Sequence, residues 1–160
     1  MGSIRHTGDG RGTVRVEDIY DTDVEDLWSA ITEPARVARW IATVEGDLRQ
    51  GGYIFARFTS TYEGPGRIDV CDPPVRLVVT WDLGTANETV TEALLTPAGD
   101  KTRLVVEERG IPLAELAEHG AGWQAHVEDL ASYLSGQEPG AWRDRWAELT
   151  PYYHQLADDV

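Results

Sequence analysis

The chain has 160 residues, with 28 acidic against 14 basic side chains, a formal charge of −14 and one cysteine. Its 41% hydrophobic content suits one domain with a real core, because a chain of this length buries roughly two-thirds of its unfolded surface. With the basic residues scattered, this charge argues against nucleic acid and anionic membrane surfaces as partners, and Cys71 alone excludes a disulfide framework or a cysteine-based zinc site.

No segment approaches the ~20 apolar residues that a membrane-spanning helix needs. The polar, glycine-rich stretch 1–12 lacks the features of a signal peptide. The expectation is a cytoplasmic protein with a flexible N-terminal segment.

Residues 13–20 alternate as a strand. Asp23 then caps a short helix over 24–31, with Glu25 and Asp26 in its first turn and Leu27, Trp28 and Ile31 on one face. Pro34 opens a second short helix over 33–40. From 43 to 109 the punctuation changes to strands and turns. Gly51-Gly52 marks a hairpin between 45–49 and 53–59, and Gly64-Pro65-Gly66 introduces a strand ending near Cys71. Val75, Leu77, Val79 and Trp81 alternate as the core face of the next strand. Two more strands, 88–96 and 102–109, flank a turn at Pro97-Ala98-Gly99-Asp100. In the first, Val90/Leu94 and Ala93/Leu95 compete for the interior. In the second, Leu104, Val106 and Glu108 share a face.

Helical spacing returns after Pro112. A short piece ends before Gly120 and Gly122, and Trp123, His126, Val127, Leu130 and Leu134 then mark one face of a longer helix that Gly136 stops. A final segment, 142–156, spaces Trp142, Trp146, Leu149, Tyr153 and Leu156 by fours and threes, with Thr150-Pro151 either capping a restart or kinking the helix. Antiparallel strands between helices make an α+β protein.

The opening Val24-Glu25-Asp26-Leu27-Trp28-Ser29-Ala30-Ile31-Thr32-Glu33-Pro34 resembles that of a START-like family of the SRPBCC superfamily, the one related to the activator of the Hsp90 ATPase. Further matches follow in order: Trp40, Asp47-Leu48-Arg49-Gln50-Gly51-Gly52, the run from Asp72-Pro73-Pro74 to Trp81, and Thr102-Arg103-Leu104-Val105-Val106. Gly122-Trp123 with Leu130, Tyr133-Leu134 and Gly136 is similar to the closing helix. The resemblance implies a helix-grip (Bet v 1-like) fold over 13–136, a curved antiparallel sheet around a long C-terminal helix, with 137–160 as a helical extension. It also implies a cavity between sheet and helix for a hydrophobic or aromatic molecule, with no cofactor.

Trp40, Phe58, Tyr62, Leu77, Val79, Trp81, Trp123, His126, Val127 and Leu130 are the expected lining, mostly apolar with few orienting polar groups. His126, alone on an apolar stripe, is either a satisfied core histidine or a ligand-facing base. Glu108 is either buried and paired or exposed at the sheet end, and a His126–Glu108 pair is the weak catalytic candidate. His6, His119, His126 and His154 have no metal-ligand spacing. Trp142, Trp146, Leu149 and Tyr153 pack on the body or against a second copy. Three functions follow: a binding protein without catalysis, a cyclase- or aromatase-like enzyme, and a protein-interaction module like the chaperone activator.

Overall fold

The computed structural model describes residues 2–160. Among them, eight antiparallel strands form one curved sheet: β1 (Gly2–His6), β2 (Arg11–Tyr20), β3 (Ala42–Gly46), β4 (Tyr53–Phe58), β5 (Glu63–Asp72), β6 (Arg76–Trp81), β7 (Thr89–Ala98) and β8 (Lys101–Pro112). Their order across the sheet is β1-β2-β8-β7-β6-β5-β4-β3. Helices α1 (Val24–Thr32) and α2 (Pro34–Val37) lie between β2 and β3, and α3 (Leu116–Leu134) and α4 (Trp142–Asp158) follow β8. This is the helix-grip architecture with an added helix. Among the described residues, no helix is long and apolar enough to cross a membrane.

Local chemistry accounts for the elements. The Asp23 carboxylate accepts from the Asp26 amide at 2.8 Å, which satisfies an otherwise orphaned donor at the start of α1. α2 is a single turn with Pro34 at its start. On β8 the face carrying Leu104, Val106 and Glu108 is the interior one, and each of the three is buried. The open choice on β7 falls to Ala93 and Leu95, since Leu95 is 3% exposed and Leu94 is 37% exposed. The opposite face carries Glu92, whose carboxylate meets Arg76 at 2.5 Å and Arg109 at 2.9 Å. Acidic and basic residues thus cross-link the outer face of the sheet, where such pairs stabilise little.

Three expectations are corrected. Residues 2–6, expected to be flexible, form β1 and pair with β2 from Gly2↔Val16 to His6↔Gly12. The glycines that suggested disorder make the hairpin turn: Gly8 and Gly10 adopt φ of 86° and 79°, a region open to residues without a Cβ, and Ile4 is buried. Val75 precedes β6 and is exposed rather than core. Finally, Gly120 and Gly122 do not break the helix. A single 19-residue helix runs from Leu116 to Leu134.

The reason lies in α4. A Cβ on Gly120 would come within 2.4 Å of the Tyr153 ring, and one on Gly122 within 3.2 Å of the Trp142 indole. The two glycines therefore let α4 approach α3 closely. Tyr153 is fully buried there, and its hydroxyl donates to Gln124 Oε1 at 2.7 Å. Pro151 sits inside α4 without ending it. Leu149 and Tyr153 are thus buried within the chain.

Gly120→Ala gains about 1 kcal/mol of helix propensity but overpacks the Tyr153 ring at a cost of about 1–3 kcal/mol. Thermal melts are expected to place it below the wild type, while Gly140→Ala, which meets nothing within 4 Å, stays close to it. A G120A melt at or above the wild-type temperature contradicts this packing.

Candidate functional site

A cleft of about 470 Å³ opens where the ends of β4, β6, β7 and β8 face α3 and α4. Spacing on α3 brings His119, Trp123 and His126 to one face, at i, i+4 and i+7, and α4 adds Trp142 and Trp146 one turn apart. Because Gly122 has no side chain, the Trp142 Nε1–H reaches its carbonyl at 3.2 Å, and Trp146 Nε1–H reaches the Glu118 carbonyl at 3.1 Å.

The walls are aromatic. Phe58 meets Trp81 edge-on at 5.4 Å, and Tyr62 meets Trp81 at 6.3 Å with planes at 90°. His126 stacks on Trp142 at 5.2 Å, and Trp142 stacks on Trp146 at 6.0 Å. At the rim the Tyr62 hydroxyl donates to Asp82 Oδ2 at 2.6 Å. Thr61 and Asp82 are the non-glycine residues with positive φ, 74° and 54°, among the described residues. Strained backbone of this kind concentrates at binding sites; Asp82 lines the cleft, and Thr61 lies in the chain between its lining residues Ser60 and Tyr62.

One carboxylate lies deep inside. Glu108 is 7% exposed, and its Oε1 accepts from His119 Nδ1 at 2.7 Å and from Trp123 Nε1 at 3.0 Å. Burial opposes its ionisation, but the hydrogen bond and charge of His119, with bonds from Trp123 and Thr89, outweigh burial and hold the carboxyl below its usual range. For His119 burial favours the neutral ring, and the bond and charge of Glu108 overcome it and raise the pKa. His126 has no such partner. It is 5% exposed, its Nδ1 is buried without a hydrogen bond, and burial drives its pKa down to about 3 against the weaker pull of Glu108. The cleft therefore holds a carboxylate–imidazole pair and, two turns along the same helix, a neutral imidazole.

Behind it lies a second space of about 160 Å³, lined by apolar side chains that include Trp40, Ile54, Leu77 and Val79. Phe58, Trp81, Thr91 and Trp123 border both spaces and form the partition. The expected lining is thus divided. Phe58, Tyr62, Trp81, Trp123 and His126 face the cleft, and Trp40, Leu77 and Val79 face the inner space. Val127 and Leu130 line neither. Beyond His126 the helix packs on β2, where the Tyr20 hydroxyl donates to the Val127 carbonyl at 2.9 Å.

No hydrogen bond joins His126 to Glu108; His119 is the partner. Sequence reasoning lost His119 by ending a helix at Gly120, although its spacing of four and seven to Trp123 and His126 marks the same face. It also left Trp142 and Trp146 outside the site, because a helix packed on α3 gives no sequence signal of which edge it borders.

A sequence model of the family described as "Activator of Hsp90 ATPase homolog 1-like protein" matches residues 21–135. Among solved structures, CalU16 from Micromonospora echinospora is 27% identical, with a TM-score of 0.80 over 99% of this chain and 96% of that one. DynU16, a protein of the dynemicin biosynthetic locus, is 31% identical with a TM-score of 0.72. That match covers 79% of this chain and 48% of DynU16, under half its length. EF2215 from Enterococcus faecalis shares the fold at 16% identity and a TM-score of 0.78. No curated protein matches the chain.

The pair fixes a pH dependence. Glu108, with its pKa lowered from 4.5, contributes stability above about 4.5 that is lost as pH falls through its folded value. His119, with its pKa raised from 6.5, contributes stability below about 6.5 that is lost as pH rises through its folded value. The stability difference between wild type and Glu108→Gln is therefore expected to be largest between pH 4.5 and 6.5. Proton NMR titration should show His119 above 6.5 in the wild type and lower in E108Q, with His126 silent across neutral pH. An unchanged His119 titration in E108Q contradicts the pairing.

Proposed function

The chain belongs to the family of Activator of Hsp90 ATPase homolog 1-like proteins, and from that premise we propose that it binds a hydrophobic or aromatic small molecule in the cleft between sheet and helices, without catalysis. One observation carries this reading: a 470 Å³ opening walled by Phe58, Trp81, Trp123 and Trp142. Six tryptophans in 160 residues could have filled the interior, yet four of them border the cleft. Burial of ligand surface supplies roughly 25 cal/mol per Å² before association costs, and stacked rings add about 0.5–1.5 kcal/mol per contact. The occurrence of DynU16 in a biosynthetic locus for a natural product agrees with a molecule of that type as ligand. The protein is read as acting in the cytoplasm as a carrier or sensor.

A second reading, acid–base catalysis on the bound molecule as in cyclases, is favoured by the Glu108–His119 pair. A carboxylate that orients an imidazole and raises its basicity is the usual equipment for moving a proton. Turnover that disappears in both H119Q and E108Q while ligand affinity persists is the result that selects this reading over simple binding.

Native mass spectrometry of freshly purified protein tests the binding reading. The expected spectrum shows the chain with a retained small molecule, and Trp142→Ala weakens retention about tenfold or more while circular dichroism keeps its helix content. The apo mass alone, together with no uptake of tricyclic or tetracyclic aromatics at up to about 100 μM, contradicts it.

A further inference from the structure

Several polar groups that line the cleft are already spent within the protein. The Trp142 and Trp146 indoles donate to backbone carbonyls, and the Tyr62 hydroxyl donates to Asp82. Glu108 accepts from His119 Nδ1 and the Trp123 indole on one oxygen and is also bonded by Thr89.

His119 is placed differently. Its Nδ1 faces a carboxylate that is 7% exposed, yet its own side chain is 34% exposed and lines the cleft. Since Nδ1 is tied inward, the open edge of the ring is the one that carries Nε2. No described residue bonds Nε2, and it is not among the enclosed unpartnered atoms. Glu108 also decides what this nitrogen carries. The carboxylate keeps a proton on Nδ1 in either charge state, so Nε2 is a donor in the imidazolium and an acceptor in the neutral ring. The bond and charge of Glu108 favour the imidazolium.

Charge then selects the ligand group that meets this donor. An imidazolium repels an ammonium, and the carboxylate beside it is already paired. A full anion meets Asp82, Glu115 and Glu118 in the same lining. Arg143 opposes them, but it is exposed, and a hydrated guanidinium discriminates little. A neutral oxygen escapes both penalties, and a bond from a charged donor is stronger than one from a neutral donor.

We propose that the cleft selects planar aromatic molecules carrying a carbonyl group, whose oxygen accepts from the His119 Nε2–H while Glu108 positions the ring. This rests on the reading of the cleft as a small-molecule site and names the chemical class it takes. His119 acts here as a donor to a bound molecule, and no proton is transferred. The groups that bear on its charge are Glu108 on β8, Glu115 and Glu118 around the start of α3, Asp82 after β6, and Arg143 and His154 on α4.

Fluorene and 9-fluorenone share a planar tricyclic skeleton and differ by the carbonyl, so equilibrium dialysis of each against the full chain isolates the oxygen. At about pH 6, below the ordinary histidine value, fluorenone is expected to bind about tenfold more tightly than fluorene. As pH rises to about 10, that preference should fall in step with the His119 titration followed by proton NMR, with fluorene affinity unchanged. His119→Leu should equalise the two probes at the lower pH; if loss of the Glu108 partner unfolds this variant, the wild-type pH profile decides alone. His154→Gln, which removes the exposed histidine beside Glu118, should leave the preference and its pH dependence intact. Equal affinities for the two probes, a preference that ignores the His119 titration, or its loss in H154Q overturns the assignment to His119 and leaves the cleft a small-molecule site. If neither probe binds with the chain at about 100 μM, the small-molecule reading itself fails and this inference falls with it.

Discussion

Two glycines on the inner side of one helix, Gly120 and Gly122, set how closely α3 and α4 can lie, and the site depends on that distance. Glycine within a helix costs about 1 kcal/mol relative to alanine. The return is a seat for Tyr153, buried completely against Gly120, and access for the Trp142 indole to a backbone carbonyl. Without this approach α4 could not dock as closely, even with Arg145 paired to Glu128 on α3, and the wall formed by Trp142 and Trp146 would move away from the cleft. The same Tyr153 hydroxyl lies where a side chain on Gly2 would have to go, so the edge strand β1 is shaped by the same contact.

Within that frame the cleft separates two histidines by environment. His119 sits against a buried carboxylate, which favours its charged form. His126 sits among Phe58, Trp123 and Trp142, where burial keeps it neutral. Both lie on one face of α3, and the difference between them is set by β8, which delivers Glu108 to the level of His119 and Trp123 rather than of His126. The site thus combines large apolar surfaces with a few polar groups of defined charge, the composition by which pockets orient as well as retain a small molecule.

Much of this fold is legible in the sequence because short-range rules govern it. The Asp23 cap, the turn at Gly51-Gly52, the alternation of Leu104, Val106 and Glu108, and the ordered START-like motifs each depend on near neighbours or on a shared pattern. The errors share a cause. Glycines at 8 and 10 read as a loose start and glycines at 120 and 122 read as a helix end, because a glycine signals conformational freedom locally while its use is decided by a distant partner. In the first case that partner is β2, and in the second it is Tyr153 and Trp142. Strand alternation and helical spacing make the cleft-facing positions of Trp81 and Trp123 legible, while Phe58 joins them through the cavity that the START-like resemblance implies. His119 and the α4 tryptophans are not legible, since their role depends on how α3 is placed against β8 and α4.

Trp81, Trp123, Trp142 and Trp146 border the cleft, and the proposed function makes that cleft a ligand space. The most direct measurement is the set of indole Nε1–H resonances in a nitrogen–proton correlation spectrum during titration with 9-anthracenemethanol. The resonances of Trp81, Trp123, Trp142 and Trp146 should shift, while those of Trp28, packed against the core, and Trp40, bonded to the Ala30 carbonyl at 2.9 Å, stay in place. Shifts confined to Trp28 and Trp40, or six unmoved resonances, would contradict the account.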